Sequence, residues 1–223
     1  MIKYFTIYGE RCSGTNFLMN AVLKNFEIEY TIKYSFKHFF GFYDFDTFRG
    51  SNEDDETFFI GIIREPISWI DSFYKKMHHI PIENKKNIQT FLFNEFYSIY
   101  EDTNTEIIED RHIITKERYK NIFELRTVKN NFLINNMPKK VKNYLLIRYE
   151  DIRDNYEKVL DYFHIKFNLV KKNDKYTRIN NYKGTKDYMF FKKNITLNKY
   201  SINLIKKNID TEQEKSLGYI TYL

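Results

Sequence analysis

Residues Thr57 to Ile63 read Thr-Phe-Phe-Ile-Gly-Ile-Ile, seven positions without a charged side chain. A run this short and apolar has no polar face to turn to water, as expected of a strand buried on both sides of a parallel sheet. Parallel neighbours must be joined by crossovers, usually helices, and the rest of the chain supplies both kinds of segment. Lys3 to Tyr8 reads as a short buried strand ending at Gly9, and Phe17-Leu18, Ala21-Val22 and Leu23 follow at helical spacing. Ile32 to Phe36 alternates as a further strand that closes on Lys37-His38, and Tyr144 to Tyr149 reads as another buried one. Pro66 can open a helix over Ile67 to Met77, and Asp151 or Asp154 can cap one running through Phe163. Lys85 to Asn136 is helical in period but charged, fitting two or three helices on one side. Ser201 to Gly218 fits one or two small helices, and the acidic stretch Asn52 to Glu56 a surface loop. The alternation predicts an α/β fold: one domain over residues 1–223, in three layers, with a central parallel sheet of about four or five strands flanked by helices.

Composition narrows the class. The 223 residues suffice for one sizeable core and are too few for two comfortable domains. A single Cys excludes an internal disulfide framework and a thiolate metal cluster. Five scattered His leave little for zinc, so no metal is expected. Met1 to Thr6 enters a strand-like run without an apolar leader, and no stretch approaches the roughly 18 apolar residues of a membrane span. The expectation is a soluble, cytoplasmic chain with no membrane partner. A net charge of +6 favours anionic partners: nucleic acid, phosphorylated cosubstrates or acidic glycans. No basic aromatic stripe or nucleic-acid motif accompanies that charge, so no nucleic-acid partner is expected.

The chemistry concentrates between the first strand and its helix, at Gly9-Glu10-Arg11-Cys12-Ser13-Gly14-Thr15-Asn16. A glycine-bearing strand-to-helix turn points backbone N–H groups and a helix dipole at an anion. Gly14 permits close approach, Ser13, Thr15 and Asn16 add side-chain donors, and Arg11 adds charge. The competing reading is an ordinary strand–helix turn. Gly9 and Gly14 match the glycines of the loop G-x-x-x-x-G-K-[ST], but Thr15 replaces its Lys and Asn16 its metal-binding hydroxyl. Nucleotide kinases need both, so the loop suits an anion of lower charge with no metal to hold. A second cluster follows the apolar run: Arg64-Glu65-Pro66, with Ser72 eight residues after Arg64. Arg64 at a strand's carboxyl edge can fork onto a phosphate that Ser72 also reaches; alternatively Arg64 pairs with Glu65 or Glu10 and Ser72 is a surface residue.

Together these residues resemble the sulfotransferases that use 3′-phosphoadenosine-5′-phosphosulfate (PAPS). Ser13-Gly14-Thr15 resembles their 5′-phosphosulfate loop, and Arg64-Glu65-Pro66 with Ser72 resembles their 3′-phosphate motif. Arg148-Tyr149-Glu150-Asp151 is similar to the Tyr-Glu-Asp segment of a later strand. Lys183-Gly184 is similar to the Lys-Gly of the C-terminal loop that closes on the 3′-phosphate. Four landmarks in the family's order cover residues 9 to 184. Three positions depart from the pattern: Cys12 stands where a basic residue usually precedes Ser-Gly-Thr, Tyr182 stands before Lys-Gly, and Lys37-His38 lacks the spacer of Lys-x-His.

The resemblance implies a P-loop-NTPase-like sulfotransferase architecture, PAPS as cosubstrate with the desulfated nucleotide PAP as product, and in-line transfer to an acceptor hydroxyl. Arg11, the Ser13–Asn16 amides and Lys37 would stabilise the leaving 5′-phosphate; Arg64, Ser72 and Lys183 would hold the 3′-phosphate. His38 is the candidate general base, the alternative being a structural histidine with a Glu as base. Residues 78 to 136 are expected to build the acceptor pocket for a carbohydrate or small molecule, an amine or a peptide tyrosine being the alternative acceptors; oligomeric state is not legible. His78-His79 reads as a solvated helix end and Glu150-Asp151 as capping or edge pairing. Lys192-Lys193 and Lys206-Lys207 read as a solvated basic face, and Cys12 as a loop residue. Three rival readings stand: a kinase with a degenerate loop, a basic anion- or nucleic-acid-binding protein, and a sulfotransferase-like fold without catalysis.

Overall fold

A computed structural model describes residues 1–43, 55–179 and 194–219. The chain divides into two compact units, one of Met1–His38, Phe45–Arg64 and Leu133–Asn194, the other of Phe39–Asp44, Glu65–Phe132 and Ile195–Leu223.

The first unit is built on a four-stranded, all-parallel sheet flanked by helices, giving the α/β class. Its strands are β1 (Tyr4–Tyr8), β2 (Glu29–Tyr30), β3 (Thr57–Ile63) and β4 (Tyr144–Arg148), in the order β2-β1-β3-β4. Tyr4 to Tyr8 lie opposite Thr57 to Gly61, and Phe59 to Ile63 opposite Tyr144 to Arg148. Alternation sends Phe5, Ile7, Phe58, Ile60 and Ile62 to one face. There they meet α1 (Thr15–Asn25) through Phe17, Leu18, Ala21 and Val22, and α7 (Tyr156–Phe167) through Leu160, Phe163 and Phe167. Phe58 packs edge-on against Phe163 and tilted against Phe167, at centroid distances of 5.3 and 4.0 Å. On the other face Phe59 packs edge-on against Tyr34 at 5.1 Å. All seven residues of β3 are buried, each large side chain contributing about 2–3 kcal/mol of apolar transfer free energy.

Three sequence expectations need correction. Ile32 to Phe36 is not a strand: Ser35 takes a φ of 140°, its N–H bonds to the Ile32 carbonyl at 3.1 Å, and Ile32 is exposed. The strand lies just upstream, where Glu29 and Thr31 donate to the Lys3 and Phe5 carbonyls of the β1 side. β4 stops at Arg148, because Tyr149 already begins α6 (Tyr149–Asp154). Neither Asp151 nor Asp154 caps the helix through Phe163, since the chain breaks at Asn155 (φ −122°, ψ 45°) before α7. Asp151 pairs with Arg148 instead, at 2.7 and 2.8 Å.

The second unit is made of short helices with side-chain caps: α2 (Pro66–Lys76), α3 (Ile88–Phe93), α4 (Ile122–Asn131), α8 (Lys199–Asn208) and α9 (Thr211–Ser216). Met137–Lys140 forms α5, in the first unit. Pro66 stands at the start of α2 as expected, and both Glu65 carboxylate oxygens accept from the Ile67 and Ser68 amides at 2.7 Å. Asn87 caps α3, Asn121 caps α4, Asn198 caps α8 and Asp210 caps α9. Phe73 packs edge-on against Phe91 and Phe96. Among the described residues of this unit, two ion pairs are deeply buried. Lys129 pairs with Asp110, which also accepts from Ser98; Arg126 forks onto Glu214 at 2.5 and 2.8 Å with both side chains at most 5% exposed. Among the described residues no helix is long and apolar enough to cross a membrane.

Two measurements test this account. Removing the charge of one partner strands a buried ion, so Glu214→Gln is expected to lower unfolding free energy by about 3–5 kcal/mol in urea melts. Asp71 of α2 accepts from the Thr196 amide and hydroxyl and the Leu197 amide with one oxygen, and from Lys75 with the other. Burial opposes ionisation of Asp71, but the Lys75 and Thr196 donors outweigh it and hold the carboxyl below its ordinary value. A depressed folded pKa stabilises above the unfolded value and loses that effect as pH falls through the folded one. Asp71→Asn should therefore cost about 1–3 kcal/mol at neutral pH, a gap from wild type that closes as pH falls below about 4.

Candidate functional site

The loop Gly9–Gly14 leaves the carboxyl end of β1, the strand from which the order runs outward to β2 on one side and β3 on the other. Open parallel sheets bind ligands at such a reversal. Gly9 is required sterically: a Cβ there would lie 2.5 Å from the Ile62 carbonyl oxygen of β3 and 2.8 Å from Ser13 Oγ. The turn closes on itself, with the Ser13 amide and hydroxyl both donating to the Glu10 carbonyl, at 3.0 and 2.6 Å. Ser13 thus shapes the loop in this state. Cys12 takes a left-handed φ of 64° and Gly14 one of 101°. A Cβ on Gly14 would fall 2.4 Å from Cδ2 of Tyr149, so that ring is the wall behind the loop. Arg11 is buried in the loop, and α1 starts at the buried Thr15 with no side-chain cap. The first-turn amides of such a helix have no intrahelical partner, which makes this end attractive to an anion.

Lys37 and His38 come to the same place, by a route different from the expected strand. The Gly9 N–H donates to the Lys37 carbonyl at 3.0 Å, and His38 Nδ1 lies 2.7 Å from the Gly9 carbonyl oxygen. A carbonyl oxygen only accepts, so Nδ1 carries the proton and Nε2 of the neutral ring holds the lone pair. The Phe36 ring stands edge-on to His38 at 5.6 Å. Lys37 Nζ donates to Asn16 Oδ1 at 2.5 Å, at the start of α1, and lies 5.6 Å from the Phe36 centroid.

Arg64 follows β3 at the same edge. Its guanidinium donates to the Cys12 carbonyl at 3.0 Å and sits over the Tyr149 ring, 5.0 Å from the centroid. Arg153 approaches that ring at 5.7 Å. Burial pushes the Tyr149 phenol above its ordinary value, against the opposing pull of the Arg64 and Arg153 cations, so it stays neutral across the physiological range.

The structure thus gathers Gly9, Arg11, Cys12, Ser13, Gly14, Thr15, Asn16, Lys37, His38 and Arg64 in the first unit. Ser72 lies on α2 of the second unit, partly exposed. Lys183, Gly184 and Lys192-Lys193 lie outside the described residues. His79 donates its amide to Glu101, and its ring Nδ1 bonds to the Ile99 carbonyl at 3.0 Å, a structural use. Lys206 and Lys207 end α8. Sequence reasoning missed the role of Tyr149. Its signal is the register: Ile63 lies opposite Arg148, so the residues one step beyond each strand, Arg64 and Tyr149, become neighbours.

No protein-family model matches the chain, and no curated protein matches it either.

The closeness of Gly14 to Tyr149 makes a double substitution informative. Gly14→Ala imposes a left-handed alanine, at about 1–3 kcal/mol, and also drives its Cβ into the ring. Chemical denaturation should show a smaller cost for Gly14→Ala in a Tyr149→Ala background than in the wild type.

Proposed function

We propose that this chain is a PAPS-dependent sulfotransferase, acting on an acceptor hydroxyl of a carbohydrate or small molecule. The observation that carries the reading is the convergence of three sequence-distant elements on one loop, Gly9 to Gly14. Gly9 bonds to Lys37 and His38, and Arg64 bonds to the carbonyl of Cys12. The loop and Arg64 are landmarks of the resemblance drawn from the sequence, Lys37-His38 departs from its Lys-x-His, and a phosphosulfate nucleotide needs all three functions: an anion loop, a cation beside the reacting group and a base.

The chemistry follows from the positions. Sulfuryl transfer is in-line, so positioning and electrostatics carry most of the catalysis. The acceptor oxygen attacks sulfur, and the bond from sulfur to the bridging 5′-phosphate oxygen breaks. The hydroxyl proton passes to His38 Nε2, the nitrogen left unprotonated by the bond from Nδ1 to Gly9. Negative charge grows on the departing 5′-phosphate, where the amides at the start of α1, the Arg11 guanidinium and the Lys37 ammonium stabilise it. Arg64, fixed by the Cys12 carbonyl and the Tyr149 face, takes the 3′-phosphate, with Ser72 and Lys183 assigned to that group by the resemblance alone. The loop carries Thr15 where nucleotide kinases carry their phosphate-binding Lys, which favours PAPS over ATP–Mg²⁺.

Thermal melts with PAP, ATP–Mg²⁺ and 5′-AMP test the reading. At a hundredfold excess over Kd, PAP should add about 2.7 kcal/mol and raise Tm by roughly 5–10 °C. The rise should not be reproduced by 5′-AMP and should shrink in Arg64→Ala. A shift with ATP–Mg²⁺ and none with PAP would replace the sulfotransferase reading by a kinase; no shift with any of the three would favour a binding protein.

A further inference from the structure

Asn16 occupies the position at which the loop G-x-x-x-x-G-K-[ST] places the hydroxyl that ligates Mg²⁺. In this structure its side chain faces a different cation, the ammonium of Lys37 at 2.5 Å. An ammonium has only donors, so the atom facing it is the carboxamide oxygen. Lys37 reaches Asn16 from 21 residues away along the chain. Its backbone is fixed by the bond from the Gly9 amide and its ammonium lies near the Phe36 ring. Backbone and head group are therefore both restrained next to the amides that open α1.

We infer that Asn16 is a positioning residue: its carbonyl holds the Lys37 ammonium at the anion loop as a built-in counter-cation, so that anion binding needs no divalent metal. The inference rests on the function proposed above and says which atom at that site does the work of the metal. The type of side chain matters. An aspartate would hold the ammonium equally well, but its negative charge would cancel the cation and repel the incoming phosphosulfate. A neutral carboxamide restrains the lysine while leaving the full positive charge for the ligand. A long flexible lysine loses rotamer freedom when it meets an anion, and a lysine already held by Asn16 has lost part of that freedom beforehand. A Thr or Ser at position 16 would have a shorter reach and, beside a phosphate, would suit a metal.

The test is a double-mutant cycle on PAP affinity with Asn16→Leu, Lys37→Met and the pair, in EDTA and in excess Mg²⁺. Asn16→Ala serves as a second variant should the leucine disturb α1. Asn16→Leu is expected to weaken PAP by about tenfold, and to have no further effect once Lys37 is Met. Wild-type affinity should agree within about twofold with and without Mg²⁺. Losses that add in the cycle would mean that Asn16 touches the anion itself, and a Mg²⁺ requirement in the wild type would mean that Lys37 does not serve as the cation; either overturns the inference. A ligand-free readout separates this failure from failure of the functional reading. Reductive methylation followed by peptide mass analysis should show Lys37 protected in the wild type and modified several-fold faster in Asn16→Leu. An unchanged rate overturns the inference, even where PAP binds. A wild-type chain that ignores PAP while Lys37 is still deprotected in Asn16→Leu would overturn the sulfotransferase reading and, with it, the catalytic meaning of the pair.

Discussion

The backbone of the residue after β1, Gly9, governs the arrangement around it. Gly9 gives its N–H to the Lys37 carbonyl and receives a proton bond from His38 on its own carbonyl. Two backbone groups at the end of the strand are thereby used to bring a lysine and a histidine to the carboxyl edge of a parallel sheet. The absence of a side chain at Gly9 is a condition for this, because the Ile62 carbonyl already fills the space a Cβ would take. From Gly9 the loop turns through Cys12 and Gly14 in left-handed conformations and delivers the helix start.

The same edge illustrates how parallel pairing transmits position. β3 and β4 end in register, Ile63 opposite Arg148, so the residues just past them, Arg64 and Tyr149, are forced together; β1 ends with Tyr8 opposite Gly61, which sets Gly9 beside Ile62. Gly9, Arg64 and Tyr149 each follow a strand directly or within one residue. Their contacts need no long-range recognition beyond the sheet. Tyr149 then contributes twice, as the surface against which Gly14 packs and as the face over which the Arg64 guanidinium lies.

What the sequence made legible was what depends on local pattern. Thr57 to Ile63 could be read because a short run rich in Phe and Ile leaves no polar face for water, and the strand has those bounds in the structure. The helix after Pro66 was legible from ring chemistry. β2 was not: a pairing of two residues, Glu29 and Tyr30, is set by where β1 lies, while the alternation in Ile32 to Phe36 imitates a strand that the left-handed Ser35 prevents. Asp151 looked like a helix cap, yet a guanidinium three residues earlier offers it two hydrogen bonds. At the candidate site, the identities of Lys37 and His38 were legible and their geometry was not. Asn16, read as a donor, presents its oxygen to Lys37, a pairing that no local pattern encodes.

The forked Arg126–Glu214 pair in the second unit has a hereditary side. Arg126 and Glu214 stand 88 residues apart in the chain, and each is inside the protein only because the other is. A lineage that alters one codon must pass through a protein with an uncompensated charge in its interior before the second can change. The two codons are therefore expected to be replaced together or not at all, and descendants of this gene should carry either both charges or an apolar couple in their place.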